Sequence, residues 1–188
     1  NYNIAIGRDA MYTNTSGGNT VAIGLQSLYT AEATTYNVAV GAYTMRSTTT
    51  GDYNTAVGYQ AGYANTTGAG HVYLGYQSGY SSTTASDPNV SIGYQAFYNN
   101  TTGGANVAIG RDALKANTTA SNNTAVGYQA GYSITTGTEN TLVGSSAGNA
   151  GTTYSYSTFI GSGTGKSITS GTASRNTFVG AYAGTSVT

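Results

Sequence analysis

A five-residue pattern, Asn-[Thr/Val]-Ala-[Val/Ile]-Gly, recurs from one end of the chain to the other. It reads NIAIG at 3–7, TVAIG at 20–24, NVAVG at 37–41, NTAVG at 54–58, HVYLG at 71–75, NVSIG at 89–93, NVAIG at 106–110, NTAVG at 123–127, NTLVG at 140–144, STFIG at 157–161 and NTFVG at 176–180. The closing glycines are Gly7, Gly24, Gly41, Gly58, Gly75, Gly93, Gly110, Gly127, Gly144, Gly161 and Gly180. Their spacing is constant at seventeen positions, except that the step from Gly75 to Gly93 is longer by one and the step from Gly161 to Gly180 longer by two. A fixed period of this length is the signature of a repeat architecture, in which each copy is one structural unit stacked on the next. The two longer gaps place their extra residues near Asp87-Pro88 and near Ala173-Ser174-Arg175. A rigid motif and one length-tolerant loop are therefore expected in each copy.

The residue before each glycine is always branched and apolar: Ile6, Ile23, Val40, Val57, Leu74, Ile92, Ile109, Val126, Val143, Ile160 and Val179. Two residues earlier stands Val, Ile or Thr. Side chains at this spacing share one face of a strand, and β-branched residues favour strands. The residue between them is Ala or Ser in seven copies and Tyr73, Leu142, Phe159 or Phe178 in the other four. It points to the opposite face. Asn opens eight of the eleven copies, as Asn3, Asn37, Asn54, Asn89, Asn106, Asn123, Asn140 and Asn176. Stacked, these amides are expected to form a ladder inside the solenoid. The segment after the glycine, YQAGY at 59–63 and 128–132, alternates as a second short strand would. Polar turn residues such as Asn65-Thr66-Thr67-Gly68 follow.

These patterns predict an all-β fold, a parallel β-solenoid or β-roll of eleven coils, each with two short strands, a glycine corner and a loop. At roughly 4.8 Å per coil the rod would be about 50 Å long. Residues 1–188 read as one repetitive segment of a longer fibre, without polar caps against end-to-end stacking into a filament. One coil offers few large apolar residues to a core. Association with identical chains, through the face of small residues, is the expected remedy.

Composition narrows the function. Charged residues are 6% of the chain, and six basic residues balance six acidic ones. No basic face is available for a phosphate backbone, so nucleic acid is not an expected partner. The longest apolar runs reach three or four residues, far short of a membrane span, so no membrane insertion is expected. There is no cysteine for a disulfide or a thiolate metal site.

No motif supplies catalytic, cofactor or metal chemistry. The stretch Gly161-Ser162-Gly163-Thr164-Gly165-Lys166-Ser167 suggests a phosphate-binding loop, but Ile160 stands where the first glycine of that motif must be. His71 is the single histidine and occupies the position that is Asn in most copies, which makes it a ladder substitution. Asp9, Glu32, Asp52, Asp87, Asp112 and Glu139 are scattered over the coils, and the pairs Arg8-Asp9 and Arg111-Asp112 recur at one repeat position as ion pairs. Glycosylation sequons begin at Asn14, Asn65, Asn99, Asn100, Asn117 and Asn122, all in loops.

Tyrosines supply the candidate binding surface. Tyr59, Tyr76, Tyr94 and Tyr128 follow the repeat glycine, and Tyr12, Tyr29, Tyr63, Tyr80, Tyr98 and Tyr132 come four residues later. Stacked coils turn them into stripes. Two readings stand: packing between chains or against loops, and a surface on which sugars stack.

The recurring motif resembles the head repeats of trimeric autotransporter adhesins, of the form NSVAIG. NTAVGYQAGY at 54–63 and 123–132 also resembles the NTAVGYQAL-type repeats of phage tail fibres and bacterial surface fibres. The resemblance covers the whole chain, although autotransporter head repeats are usually shorter than the period found here. It implies an interlocked homotrimer, an extracellular location on a cell surface or virion, and a role as a structural and adhesive fibre segment without enzymatic activity. A cell-surface glycan or receptor is the implied external partner. Two further functions remain open: a glycan-binding module using the tyrosine stripes, and an ice-binding solenoid with ranked threonines, against which stands the absence of a strict Thr-X-Thr face.

Overall fold

The computed structural model describes residues 1–84, 87–168 and 174–185. They contain no helix. Eleven strands of three residues each form one parallel sheet in sequence order, from β1 (Ile4–Ile6) and β2 (Val21–Ile23) through β4 (Thr55–Val57) and β5 (Val72–Leu74) to β11 (Thr177–Val179). Pairing is in register at the motif: Ala39 lies beside Ala56, which lies beside Tyr73. The two longer gaps leave this register intact, since Val72 pairs with Val90 and Thr158 with Thr177. Of the stretches expected to hold the extra residues, Asp87-Pro88 and Ser174-Arg175 lie outside the strands, and Ala173 lies outside the described residues. The chain is a β-solenoid.

The strand faces are used the opposite way from the sequence expectation. The small central residue points inward: Ala22, Ala39, Ala56, Ser91, Ala108 and Ala125 are fully buried. The flanking β-branched residues point out, and Val57 is 40% exposed beside a fully buried Ala56. The small-residue face therefore cannot be the surface where chains meet. A coil this short encloses too narrow a lumen for a large side chain at every inward position.

That lumen is filled by alternation. Where the strand centre is small, the fourth residue after the corner glycine is often large, as in Ala22 with Leu28, Ala39 with Met45 and Ala108 with Leu114, all buried. Where the strand centre is large, that residue is glycine: Tyr73 with Gly79, Leu142 with Gly148, Phe159 with Gly165. A Cβ on Gly165 would stand 2.9 Å from the Phe159 ring. Gly62 and Gly131 follow small strand centres, and the space is taken from the next coil by Tyr73 and Leu142. Polar groups divide the apolar core into two clusters. Between them Tyr73 Oη donates to Ser82 Oγ at 2.9 Å, and Ser78 Oγ lies 2.7 Å from both the Ser91 carbonyl oxygen and Ser91 Oγ.

The expected second strand is instead a run of turns. Its second and fourth residues after the glycine take left-handed backbone, for example Gln26 and Leu28, or Tyr43 and Met45. That conformation costs non-glycine residues roughly 1–2 kcal/mol. Compensation comes from the neighbouring coils: the Tyr43 amide donates back to the Leu25 carbonyl at 2.7 Å, and the Met45 amide donates forward to the Ala61 carbonyl at 2.9 Å. Alternation and coil-to-coil pairing are thus present without extended backbone. The corner glycines Gly7 to Gly180 all have φ between 120° and 140°. They also approach one another closely, so a Cβ on Gly127 would lie 2.5 Å from the Gly144 carbonyl oxygen. Both features require glycine.

The Asn position forms a continuous internal ladder. Asn37, Asn54, Asn89 and Asn123 are fully buried. At each of the ten coil-to-coil steps, a side-chain acceptor receives the backbone N–H of the equivalent residue one coil on, at 2.8–3.3 Å. Thr20, His71 and Ser157 serve as well as asparagine: the His71 Nδ1 accepts from the Asn89 N–H at 2.9 Å. His71 is thus a ladder member in this structure. The asparagines add a second bond across the coil, such as Asn123 Nδ2 to the Gly137 carbonyl at 2.9 Å.

Asn123→Ala would strand the Asn140 N–H and the Gly137 carbonyl in the interior. At about 1–3 kcal/mol for each buried orphan, a loss of roughly 2–6 kcal/mol is expected in urea unfolding. Asn123→Ser, which restores an acceptor as Ser157 does, should recover part of it. Alkaline pH tests the core independently. Burial pushes the Tyr73 phenol well above its ordinary value, against a smaller lowering by the Ser82 bond, and burial raises Tyr154 too. The folded state therefore holds these protons more tightly than the unfolded chain does. Their contribution is complete below the unfolded pKa of about 10 and is lost as pH rises above it. Tyr73→Phe with Tyr154→Phe should flatten the fall in thermal midpoint above about pH 10 relative to the parent chain.

Candidate functional site

Two surfaces carry side chains that the core does not use. The first is the outer face of the sheet. Parallel sheets are normally covered on both faces. Here the outward positions form two ranks, with Val38, Val57 and Ile160 among the clearly exposed members. Ile6, Ile23, Val40, Leu74, Ile92, Ile109, Val126, Val143 and Val179 extend the rank next to the corner glycines. The strip is about 50 Å long and about 10 Å wide, on the order of 500 Å², at the upper end of what a lone soluble chain exposes.

The second surface is lateral and is built by the turn segment. Its first, second and fifth positions after the corner glycine lie on this surface, and where successive coils carry like residues these meet. Tyr59, Tyr76 and Tyr94 stack at 5.5 and 5.0 Å between ring centroids. Tyr63, Tyr80 and Tyr98 stack at 5.1 and 5.0 Å. Tyr12 stacks on Tyr29 at 5.3 Å. The stripes expected from the sequence are therefore present. Tyr128 and Tyr132 are separated from them by one coil in which cations replace both tyrosines. The Arg111 guanidinium lies 5.4 Å from the Tyr94 ring and 6.0 Å from Tyr128, and the Lys115 ammonium lies 5.9 Å from Tyr132. Burial raises the Tyr80 pKa, and the neighbouring Tyr98, Tyr63 and Tyr59 hydroxyls push it the same way.

Between the stripes runs a row of glutamines that the sequence reading missed. Gln95 Nε2 donates to Gln77 Oε1, and Gln77 Nε2 donates to Gln60 Oε1, each at 2.8 Å. The signal was the Gln of every YQ pair, which becomes informative only once these residues are known to be adjacent. A further stack, Tyr36 on Tyr53 at 5.1 Å, precedes the Asn ladder by one residue and was also missed.

Other candidates resolve locally. Asp112 is buried and paired with Lys115 at 2.9 Å and Arg111 at 3.3 Å, while Arg8 and Asp9 lie 3.8 Å apart. Among the described residues no group of three or more His, Cys, Asp or Glu side chains is placed to hold a metal ion. Gly161 and Gly165 are repeat and core glycines, and the Gly165 site is closed by Phe159. Three of the sequons are not open: Asn65, Asn100 and Asn117 are fully buried, and Asn65 bonds both the N–H and the carbonyl of Gly68. The loops are also more regular than the sequence suggested. Thr49, Thr66, Thr83, Thr101, Thr118 and Thr135 form a rank, each hydroxyl donating to the carbonyl of the next threonine along. Those hydroxyls are consumed within the protein. No helix among the described residues is long and apolar enough to cross a membrane.

Comparison with protein-family models, with curated proteins and with solved structures found no match.

Proposed function

We propose that this chain is a structural and adhesive segment of an extracellular fibre, on a bacterial surface or a virion, and that it works as a homotrimer joined through the outer sheet face. The observation that carries the reading is the pair of β-branched ranks on that face. At about 25 cal/mol per Å², covering on the order of 500 Å² on each chain is worth roughly 12 kcal/mol per chain before the costs of association. The ranks are straight and their side chains stiff, so little conformational entropy opposes packing one rod against another. Identical faces meeting around one axis make a closed assembly, and the number three is what the resemblance to trimeric adhesin heads implies. The resemblance of the repeats to adhesin heads and tail fibres supports the same reading.

The role is mechanical: the assembled rod spaces, displays and repeats weak contacts, so that attachment strength comes from number. The second surface, the tyrosine and glutamine rows, faces sideways and stays available for those contacts.

Light scattering coupled to size-exclusion chromatography tests the assembly. A mass near three times the 19.0 kDa chain is expected. Val40→Lys combined with Ile109→Lys, both on the outer face, should release monomers that keep the parent circular dichroism. A parent chain that is a stable monomer at micromolar concentration would sink the trimer and the reading built on it.

A further inference from the structure

The lateral face changes its pattern sharply at the third coil. Through three coils it reads Tyr-Gln: Tyr59-Gln60, Tyr76-Gln77, Tyr94-Gln95. One coil earlier, Ala42 stands where the tyrosine would be and Tyr43 where the glutamine would be. The Tyr43 ring turns perpendicular to Tyr59, with centroids 5.9 Å apart. An open cleft of about 360 Å³ remains, lined by Gln26, Tyr43, Arg46, Tyr59, Gln60 and Tyr63. That lies at the lower end of the range of small-ligand sites, about 300–1,000 Å³.

The hydrogen bonds along the glutamine row all run toward this cleft. Lys115 Nζ donates to Gln95 Oε1 at 2.7 Å, Gln95 donates to Gln77, and Gln77 donates to Gln60. The chain ends at Gln60 Nε2, which bonds no acceptor among the described residues. A row of amides bonded in one direction is polarised so that its last N–H is a strengthened donor, and the row starts from the Lys115 N–H, whose charge Asp112 balances at 2.9 Å. Arg46 is the second donor. Its Nε is held by Gln26 Oε1 at 2.9 Å, and its guanidinium lies 4.9 Å from the Tyr29 ring centroid. Among the described residues it forms no salt bridge. The lining of the cleft thus combines a fixed cation and a terminal amide donor and holds no carboxylate; the nearest along the bonded side chains, Asp9, stands behind Gln26 and accepts from its Nε2 at 3.4 Å. Its remaining walls are phenol rings and a second amide, with no aliphatic side chain.

The geometry points to a binding site for a saccharide that carries a carboxylate. The carboxylate would take the free guanidinium N–H groups of Arg46 and the Gln60 Nε2, as charge-assisted bonds. The tyrosine rings offer faces for the C–H side of a pyranose, and their hydroxyls offer partners for its hydroxyls. An acidic peptide would lack the ring that these walls accommodate, and a neutral sugar would leave the donors unanswered.

Titration of the full chain with glucuronate, galacturonate and N-acetylneuraminate, followed by saturation-transfer NMR, tests the site. Glucose, galactose, acetate and the peptide Gly-Glu-Gly serve as comparison ligands. At least one sugar acid should bind saturably, about tenfold more tightly than every comparison ligand. Arg46→Ala and Gln60→Ala should each weaken it at least fivefold, with circular dichroism unchanged. Lys115→Met, three coils from the ligand, should weaken it by about twofold through loss of polarisation. If Arg46→Ala unfolds, Gln60→Ala alone decides. Failure of all three sugar acids to bind, equal binding of acetate, Gly-Glu-Gly or a neutral sugar, or full affinity in the Gln60→Ala chain would overturn the assignment. The cleft is not on the outer sheet face, so binding by a monomeric chain would keep this site while removing the trimer, and a trimer without binding would do the reverse.

Discussion

One buried hydrogen bond per coil sets the rest of this structure. The residue that opens each motif extends a side-chain acceptor to the backbone N–H of its counterpart in the next coil, and does so at all ten steps. Three-residue strands supply little pairing of their own, and a coil so short cannot turn its backbone without leaving amides unpaired at the bends. The side-chain acceptor removes that liability at the point where the chain enters the strand. It also forces one coil to follow another at a fixed rise and in register, because an acceptor shifted by one residue would face a side chain instead of an N–H. The chemistry required is an acceptor of short reach, which explains why Thr, Ser and His substitute for Asn without breaking the series.

Register in turn creates the surfaces. Once every coil repeats the same backbone path, each outward position becomes a row, and rows behave differently from isolated residues. An exposed tyrosine alone is a mobile phenol. In a row at 5.0–5.5 Å it is stacked on a neighbour, on both sides for Tyr76 and Tyr80, and gives up freedom before any ligand arrives. The glutamines become a directional chain, with Lys115 at one end and Gln60 at the other. Function in such a fold comes less from single residues than from where a row is interrupted, as Arg111 and Lys115 interrupt the tyrosines and Ala42 and Tyr43 end the Tyr-Gln pattern.

Much of this was readable from the sequence, and the misreadings share a cause. The period, the parallel register, the Asn ladder and the tyrosine stripes follow from spacing alone. Which face of the strand turns inward does not. Branched apolar residues beside small ones ordinarily mean a core face and a solvent face, yet here Ala56 is inside and Val57 outside. The deciding quantity is the width of the lumen, which depends on how tightly the chain turns. That depends on left-handed residues such as Tyr43 and Met45, whose identities do not announce the conformation. The same bends explain why YQAGY was read as a strand: it has the alternation of one, and its amides pair with both neighbouring coils, but its backbone is curled.

The inversion matters for function because it relocates the apolar surface. A solenoid that buries its branched residues is complete as a single rod, with nothing left to drive association. One that buries alanine fills its lumen with occasional large residues, Leu28, Met45, Tyr73, Phe97 and Phe159 among them, and leaves two branched ranks outside along its whole length. Such a chain keeps apolar surface exposed on its outer sheet face. The glycines make this division possible. Gly79, Gly148 and Gly165 admit a large strand-centre residue from the side where Leu28, Met45 and Leu114 stand in other coils, so the lumen is filled either from the strand or from the bend. Either source leaves the outer ranks untouched, so the core of a coil can change without altering the outer sheet face.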